Sequence, residues 1–330
     1  MTFASFARPG LTSPKRRMRA AEFREGLLIP PIPLEDWCKA GQMFGHHGQP
    51  IFHRTGGDWS DRGRDAVLLI HGFPTASWDW AHQWGPLCER FRVAALDMIG
   101  FGFSAKPRNY AYSIQDQADL HEAYLEYLDV SRVHILAHDY GDTVAQELLA
   151  RFIDRNAAGE AGVEIASVCF LNGGLFPEQH RATLTQRLLQ SPIGGFLSRA
   201  MTRERFEKGL SEVFGPHTQP PKEVYDAFWR LATEHGGMPA IGHKLIRYIA
   251  ERRATRDRWV GALVNSPVPL RVVDGALDPV SGRHMVEHYK ALVPNPDTVV
   301  IDFVGHYPQL EAPDLVLDAF LDFQSAIATA

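Results

Sequence analysis

The stretch Leu136–Ala145 reads LAHDYGDTVA, and it sits where the apolar run RVHILAH meets the helical pattern TVAQELLARF. A short run rich in Val, Ile and Leu is the pattern of a strand buried on both faces, and apolar residues three and four apart continue it as an amphipathic helix. Between the two, Ala137 and Gly141 bracket Asp139 two residues away on either side. Small residues in those places permit a turn tight enough to lift the central side chain above the end of a sheet, with its neighbouring amides exposed. An aspartate is also a natural helix N-cap, so the turn alone does not decide between a structural and a chemical role for Asp139.

Outward from this turn, DAVLLIHG, FRVAALD, IASVCFLN, PLRVVDG and DTVVIDF repeat the strand pattern. Helical periodicity separates them over Trp78 to Cys88, Ile114 to Tyr127, Thr143 to Phe152 and Ser281 to Leu292. The alternation predicts an α/β chain with a mostly parallel sheet and helices on both faces. Ahead of it, GQMFGHHGQPIFHRTG reads as a β-hairpin turning at His47, Gly48 and Gln49. The alternation breaks once. Between Gly174 and Pro269 lie more than ninety residues of helical character with Phe196, Phe206, Phe214, Phe228, Trp229 and Trp259, too long for a loop between neighbouring strands. The expected organisation is an arm over 1–35, a core over 36–174 and 266–330, and an inserted helical cap over 175–265.

With 330 residues at 45% hydrophobic, the chain can bury a large core. A net charge of −5 with mixed signs offers nothing to a nucleic acid. Cys38, Cys88 and Cys169 are scattered and odd in number, which argues for a reducing, cytoplasmic setting without disulfides. His46 and His47 in the hairpin turn do not make a metal set, and neither metal nor cofactor is expected. The basic start (Arg8, Lys15, Arg16, Arg17, Arg19) lacks the apolar core of a signal peptide, and REGLLIPPIPLEDW reads as an arm lying on the domain. No run is long enough to cross a bilayer, so no membrane partner is expected; a homodimer is left open.

In open parallel sheets ligands bind beyond the carboxyl ends of the strands. Three of those ends carry Asp139, then Asp278, then His306, the chain order nucleophile, acid, histidine. Asp274 competes with Asp278 for the middle role, and His138 reads as a packed neighbour of the turn. The backbone amides of Phe73 and Tyr140 are the expected oxyanion donors.

At this point the segments HGFP (71–74), DMIGFGFSAKP (97–107), HDYGD (138–142), LDPV (277–280) and GHYPQLEAP (305–313) resemble the epoxide hydrolase and haloalkane dehalogenase branch of the α/β-hydrolase fold. The further segments HGFPTAS, QELL, NGGLFPE, VFGP and DRWVGAL are similar to the mesoderm-specific transcript group of that fold. The resemblance covers nearly the whole chain and implies an Asp139, Asp278, His306 triad.

An aspartate nucleophile suits saturated carbon. Attack on a carbonyl would give a labile anhydride, whereas attack on an alkyl carbon gives an ester that water can hydrolyse. The resemblance therefore implies an apolar epoxide opened to a diol by Asp139, with His306, supported by Asp278, activating the water. It also implies cap tyrosines as donors to the oxirane oxygen. Tyr248 precedes Asp278 by 30 residues, as the family spacing asks, and no tyrosine occurs between Tyr140 and Tyr225, which leaves Tyr225 as the other candidate. Tyr225, Trp229 and Phe176 are the expected substrate-lining residues. Haloalkane dehalogenation by the same triad is the alternative, although Tyr140 and Phe73 stand where that branch places its halide donors. A non-catalytic binding relic is the second alternative, since fold alone does not establish activity.

Overall fold

The computed structural model describes residues 28–329. Its eight strands form one sheet in the order β1-β2-β4-β3-β5-β6-β7-β8. These are β1 (Gln42–His46), β2 (Gln49–Gly56), β3 (Ala66–Ile70), β4 (Arg92–Leu96), β5 (Arg132–His138), β6 (Glu164–Leu171), β7 (Leu270–Gly275) and β8 (Asp297–Ile301). Only the β1–β2 and β2–β4 pairs are antiparallel. Every residue of β3 and β4 is buried, as continuous apolar runs require in a parallel sheet covered on both faces.

The expected hairpin turns at His47 and Gly48, both with positive φ. The predicted helix over Ile114–Tyr127 is observed at those bounds as α3, capped by the Ser113 hydroxyl accepting from the Asp116 amide. The other core helices differ at their ends. Ser77–Trp80 is a 3₁₀ turn before α2 (Ala81–Cys88). The elbow helix α4 runs over Tyr140–Ala158, past its last apolar stripe, and stops at Gly159, whose φ of 69° is the left-handed conformation that ends helices. After β7, α12 (Arg283–Leu292) begins two residues later than predicted. A short α1 (Leu34–Lys39) precedes the sheet, α13 (Pro308–Glu311) and α14 (Pro313–Ala328) close the chain.

Between β6 and β7 the described residues form helices and no strand: α5 (Leu184–Leu189), α6 (Gly194–Arg199), α7 (Arg203–Ser211), α8 (Lys222–Thr233), α9 (Gly237–Leu245), α10 (Tyr248–Ala254) and α11 (Arg256–Val264). The segment is fastened to the core where DRWVGAL begins α11. Glu147 on α4, nearly buried, accepts from Arg258 Nε at 2.9 Å and Trp259 Nε1 at 2.7 Å. A carboxylate enclosed by an arginine and an indole N–H has its charge and its acceptors satisfied. Most of the arm expected over 1–35 lies outside the described residues; its end does lie on the domain, with Trp78 Nε1 donating to the Ile32 carbonyl at 2.9 Å.

Candidate active site

Strand β5 delivers Asp139 into a conformation that side chains avoid. Its φ of 48° and ψ of −103° put it outside the ordinary helical and extended regions, a strain of about 1–3 kcal/mol that persists only where surrounding structure enforces it. Gly141 is part of that enforcement: a Cβ there would fall 2.6 Å from the carbonyl oxygens of Ile70 and His71. Only glycine lets the start of α4 approach the end of β3 so closely. The Phe73 amide donates to Asp139 Oδ2 at 3.1 Å, so a backbone donor from the HGFP turn already meets the carboxylate.

The neighbouring strand ends bring His306 and Asp278 to it. His306 Nδ1 lies 2.8 Å from Asp278 Oδ2, and Nε2 lies 3.9 Å from Asp139 Oδ1. The second separation exceeds hydrogen-bond length, which leaves Nε2 free for another partner. Asp278 also accepts from Asn172 Nδ2 at 3.1 Å, Ser281 Oγ at 2.8 Å and the Val280 amide at 2.7 Å. Burial would raise Asp278, but the charge and hydrogen bond of His306, then the donors of Val280 and Ser281, hold it below the usual carboxylate range. Burial alone would lower His306, but the charge and hydrogen bond of Asp278, with the charge of Asp139, lift it to about 9. Of the two acids weighed for the middle role, Asp278 is the one bonded to His306; Asp274 is buried, and desolvation followed by the charge of Asp278 pushes its carboxyl well above the ordinary range.

The loop bearing the histidine is held by Glu311. Its carboxylate accepts from the amides of Gly305 at 2.8 Å, Tyr307 at 2.9 Å and Gly215 at 2.8 Å, and from the Thr218 hydroxyl. The VFGP segment of the insertion is thereby bound to the same carboxylate as the histidine turn, and the His306 amide donates to the Val213 carbonyl at 2.9 Å. On the other side His138, buried and held neutral with a pKa near 3 by desolvation and then by the charge of His306, donates from Nε2 to the His306 carbonyl at 2.7 Å.

Arg252 was not singled out by the sequence. It is buried beside the elbow, donating from Nη2 to the Asp139 carbonyl at 3.0 Å and from Nε to the Thr143 hydroxyl at 2.6 Å. Its Nη2 also lies 3.9 Å from Asp139 Oδ1, and its guanidinium carbon sits 4.5 Å over the Tyr248 ring. Nearby Asp142 is fully buried, and desolvation followed by the charge of Asp139 raises its carboxyl well above the usual range.

A cavity of about 510 Å³ opens onto Phe73, Asp139, His306 and Tyr307 at its floor, with walls of Leu188, Leu189, Leu197, Met201, Phe206 and Met238. The lining also includes Thr183, Thr185, Gln186, Arg205, Lys208 and Glu212. Predominantly apolar walls thus carry a few polar and charged groups, the character of a pocket for a largely apolar ligand. Tyr248 stands just behind the floor, its ring 4.8 Å from Tyr140 and 6.1 Å from Phe73. Its hydroxyl is buried without a well-formed hydrogen bond to a described residue, and burial, then the charge of Asp139, raises its pKa.

Three expected lining residues are placed elsewhere. On α8 the buried stripe is Val224, Phe228 and Leu231; Tyr225 and Trp229 fall on its flank, outside the cavity wall. Tyr225 turns its hydroxyl to Gln219 Oε1 at 3.1 Å, and Trp229 packs edge-on against Phe206 at 5.5 Å. Phe176 is buried edge-on against His288 at 4.8 Å, away from the cavity. No residue of α8 or of the turn around Phe176 lines the cavity.

An eight-stranded, mostly parallel sheet with a strained acidic turn at the end of a central strand defines an α/β-hydrolase. The chain belongs to that family: the model for the alpha/beta hydrolase fold matches residues 65–313. The chain is 40% identical over 334 residues to the mesoderm-specific transcript homolog protein of Bos taurus, covering 93% of this chain and 97% of that one. Among solved structures, epoxide hydrolase CorEH superposes with a TM-score of 0.69 at 18% identity, over 87% of this chain and 99% of that one. A haloalkane dehalogenase DbeA variant from Bradyrhizobium elkanii gives 0.70 at 21%, over 88% and 97%. Esterases and lipases share such scores, so these likenesses show the fold alone.

Proposed function

We propose that this hydrolase opens apolar epoxides to diols through an ester on Asp139. The reading rests on one observation: the side chain at the elbow is a carboxylate whose Oδ1 lies 3.9 Å from the Nε2 of a histidine bonded to a second carboxylate. Ionised Asp139 attacks an oxirane carbon, the ring C–O bond breaks, and the Tyr248 hydroxyl gives its proton to the departing oxygen. Forming the ester removes the negative charge of Asp139, one of the charges that lift His306. The imidazolium then loses its proton more readily, that proton returns through solvent to the Tyr248 phenolate, and neutral His306 takes a proton from water at Nε2. The hydroxide attacks the Asp139 carbonyl carbon, and the amides of Phe73 and Tyr140 bear the oxyanion. Collapse breaks the acyl C–O bond, and the proton held on His306 passes to the departing alkoxide to give the diol. The Asp139 carboxyl then returns its own proton to His306. The insertion of helices over 175–265 acts as the cap that supplies Tyr248 and the apolar walls.

Dehalogenation is less well supported, because the cavity wall contains neither tryptophan nor asparagine to receive a halide. A binding relic is opposed by the hydrogen bonds invested in a charged Asp278–His306 pair. Single turnover of styrene oxide in heavy-oxygen water tests the proposal. Label is expected in the Asp139 carboxylate; diol formed with Asp139 unlabelled would reject the covalent route, and halide release from bromoalkanes without epoxide turnover would favour the alternative.

A further inference from the structure

The outer face of α5 and α6 is apolar and uncovered by any described residue. Leu184 is 65% exposed, Leu188 42%, Ile193 58% and Phe196 71%. Large exposed apolar groups scattered singly are unremarkable, but four within residues 184–196 form a patch that asks for an occupant. The two helices are joined tightly, because Gly194 approaches α5 so closely that a Cβ would fall 2.0 Å from the Leu189 carbonyl. Leu184 and Leu188, four residues apart on one helical face, also line the cavity. The patch therefore runs into the mouth of the candidate active site.

Its charge identifies what fits there. Residues 179–203, QHRATLTQRLLQSPIGGFLSRAMTR, contain Arg181, Arg187, Arg199 and Arg203 and no acid, within a chain of net charge −5. Arg203 pairs with Glu207 on its own helix and with Asp226 on α8; Arg181, Arg187 and Arg199 are exposed and make no ion pair among the described residues. Arg205 and Lys208 add positive charge at the cavity rim, against Glu212. Apolar side chains ringed by arginine are the makeup of a face that lies in a membrane interface, apolar groups among the acyl chains and cations among anionic headgroups.

We propose that the α5–α6 face docks on an anionic lipid surface. A second copy fits it poorly, since a two-fold contact would set the same arginines against one another. The chain's own residues 1–27, with six cations and two acids, carry the same sign as the patch and add to attraction by an anionic surface. No helix among the described residues is long and apolar enough to cross a membrane. The sequence expectation of no membrane partner rested on that criterion, and a peripheral face does not need to meet it.

The test is sedimentation of the full chain with vesicles of phosphatidylcholine mixed with phosphatidylglycerol, and with vesicles of phosphatidylcholine alone. The chain is expected to pellet with the anionic vesicles and to be released by salt. The I193S/F196S and R187Q/R199Q pairs, none of them lining the cavity, should each lower partitioning by about tenfold, with hydrolysis of a water-soluble epoxide unchanged. Absence of pelleting, or equal pelleting by wild type and I193S/F196S, would overturn the proposal. So would conversion of a dimer to a monomer by I193S/F196S in sedimentation velocity, which would assign the face to a second copy.

Discussion

Arg252 Nη2 donates to the main-chain carbonyl of Asp139 at 3.0 Å while lying 3.9 Å from the carboxylate of the same residue. One buried guanidinium thus fixes the backbone of the strained elbow and faces its charge. Replacing it by methionine removes both effects and leaves His306 to face the Asp139 charge without a second cation. Breaking a buried charge pair of this kind costs about 3–5 kcal/mol, which denaturant titration of R252M should detect. R252K keeps a charge but loses the planar fork, and is expected to recover stability in part and turnover little. Wild-type turnover by R252M would show that the elbow does not depend on this residue.

Tyr248 separates chemistry from stability. Its buried hydroxyl makes no well-formed hydrogen bond to a described residue, although the Arg252 side chain acts on it, so Tyr248→Phe is expected to change stability by no more than about 1 kcal/mol. Loss of a proton donor should nevertheless slow formation of the ester by about 100-fold, with its hydrolysis little affected. Rapid-quench measurement of the two steps checks this; slowing of both alike would assign Tyr248 to packing.

His306, lifted to about 9 by Asp278 and Asp139, gives two pH dependences. In Asp139→Asn one of the raising charges is gone, and NMR titration should place the imidazole below its wild-type value. Turnover limited by ester hydrolysis should rise with pH, because the base must be neutral. Stability runs the other way: a folded-state pKa above the ordinary 6.5 contributes stability that is fully present below 6.5 and lost as pH rises through about 9. Unfolding measured across that range should show the loss in wild type and much less of it in H306Q.

Glu311 touches no reacting group, and its predicted effect is on position. Glu311→Gln offers one carbonyl oxygen where the carboxylate accepts from three amides and a hydroxyl. The expected result is a fall in kcat of about tenfold with KM little altered, because the apolar wall persists while the histidine turn loosens. A changed KM with intact kcat would contradict this.

The sheet was legible because its strands are short apolar runs with abrupt polar ends, and the acid at the elbow stood out because Ala137 and Gly141 frame it. Asp278 and His306 followed from their places at strand ends and from the family likeness. Arg252 was hidden for a physical reason: in KLIRYIAERR it is one of several arginines on a charged helix, and only the docking of α10 onto α4 turns it inward. The same dependence on docking defeated the reading of α8. Helical character over the insertion could be seen, but not which of its helices would border the cavity, and Tyr225 and Trp229 lie on one that does not.

The single carboxylate shared by the VFGP segment and the histidine turn has a consequence for evolution by exchange of parts. A graft that swapped the helical insertion for a relative's could keep the sheet whole and still arrive with its base adrift, because residues 213–218 belong mechanically to the far strand end. Transplants that carry this short splice together with Glu311 should keep their proton shuttle in register, and those cut across it should not.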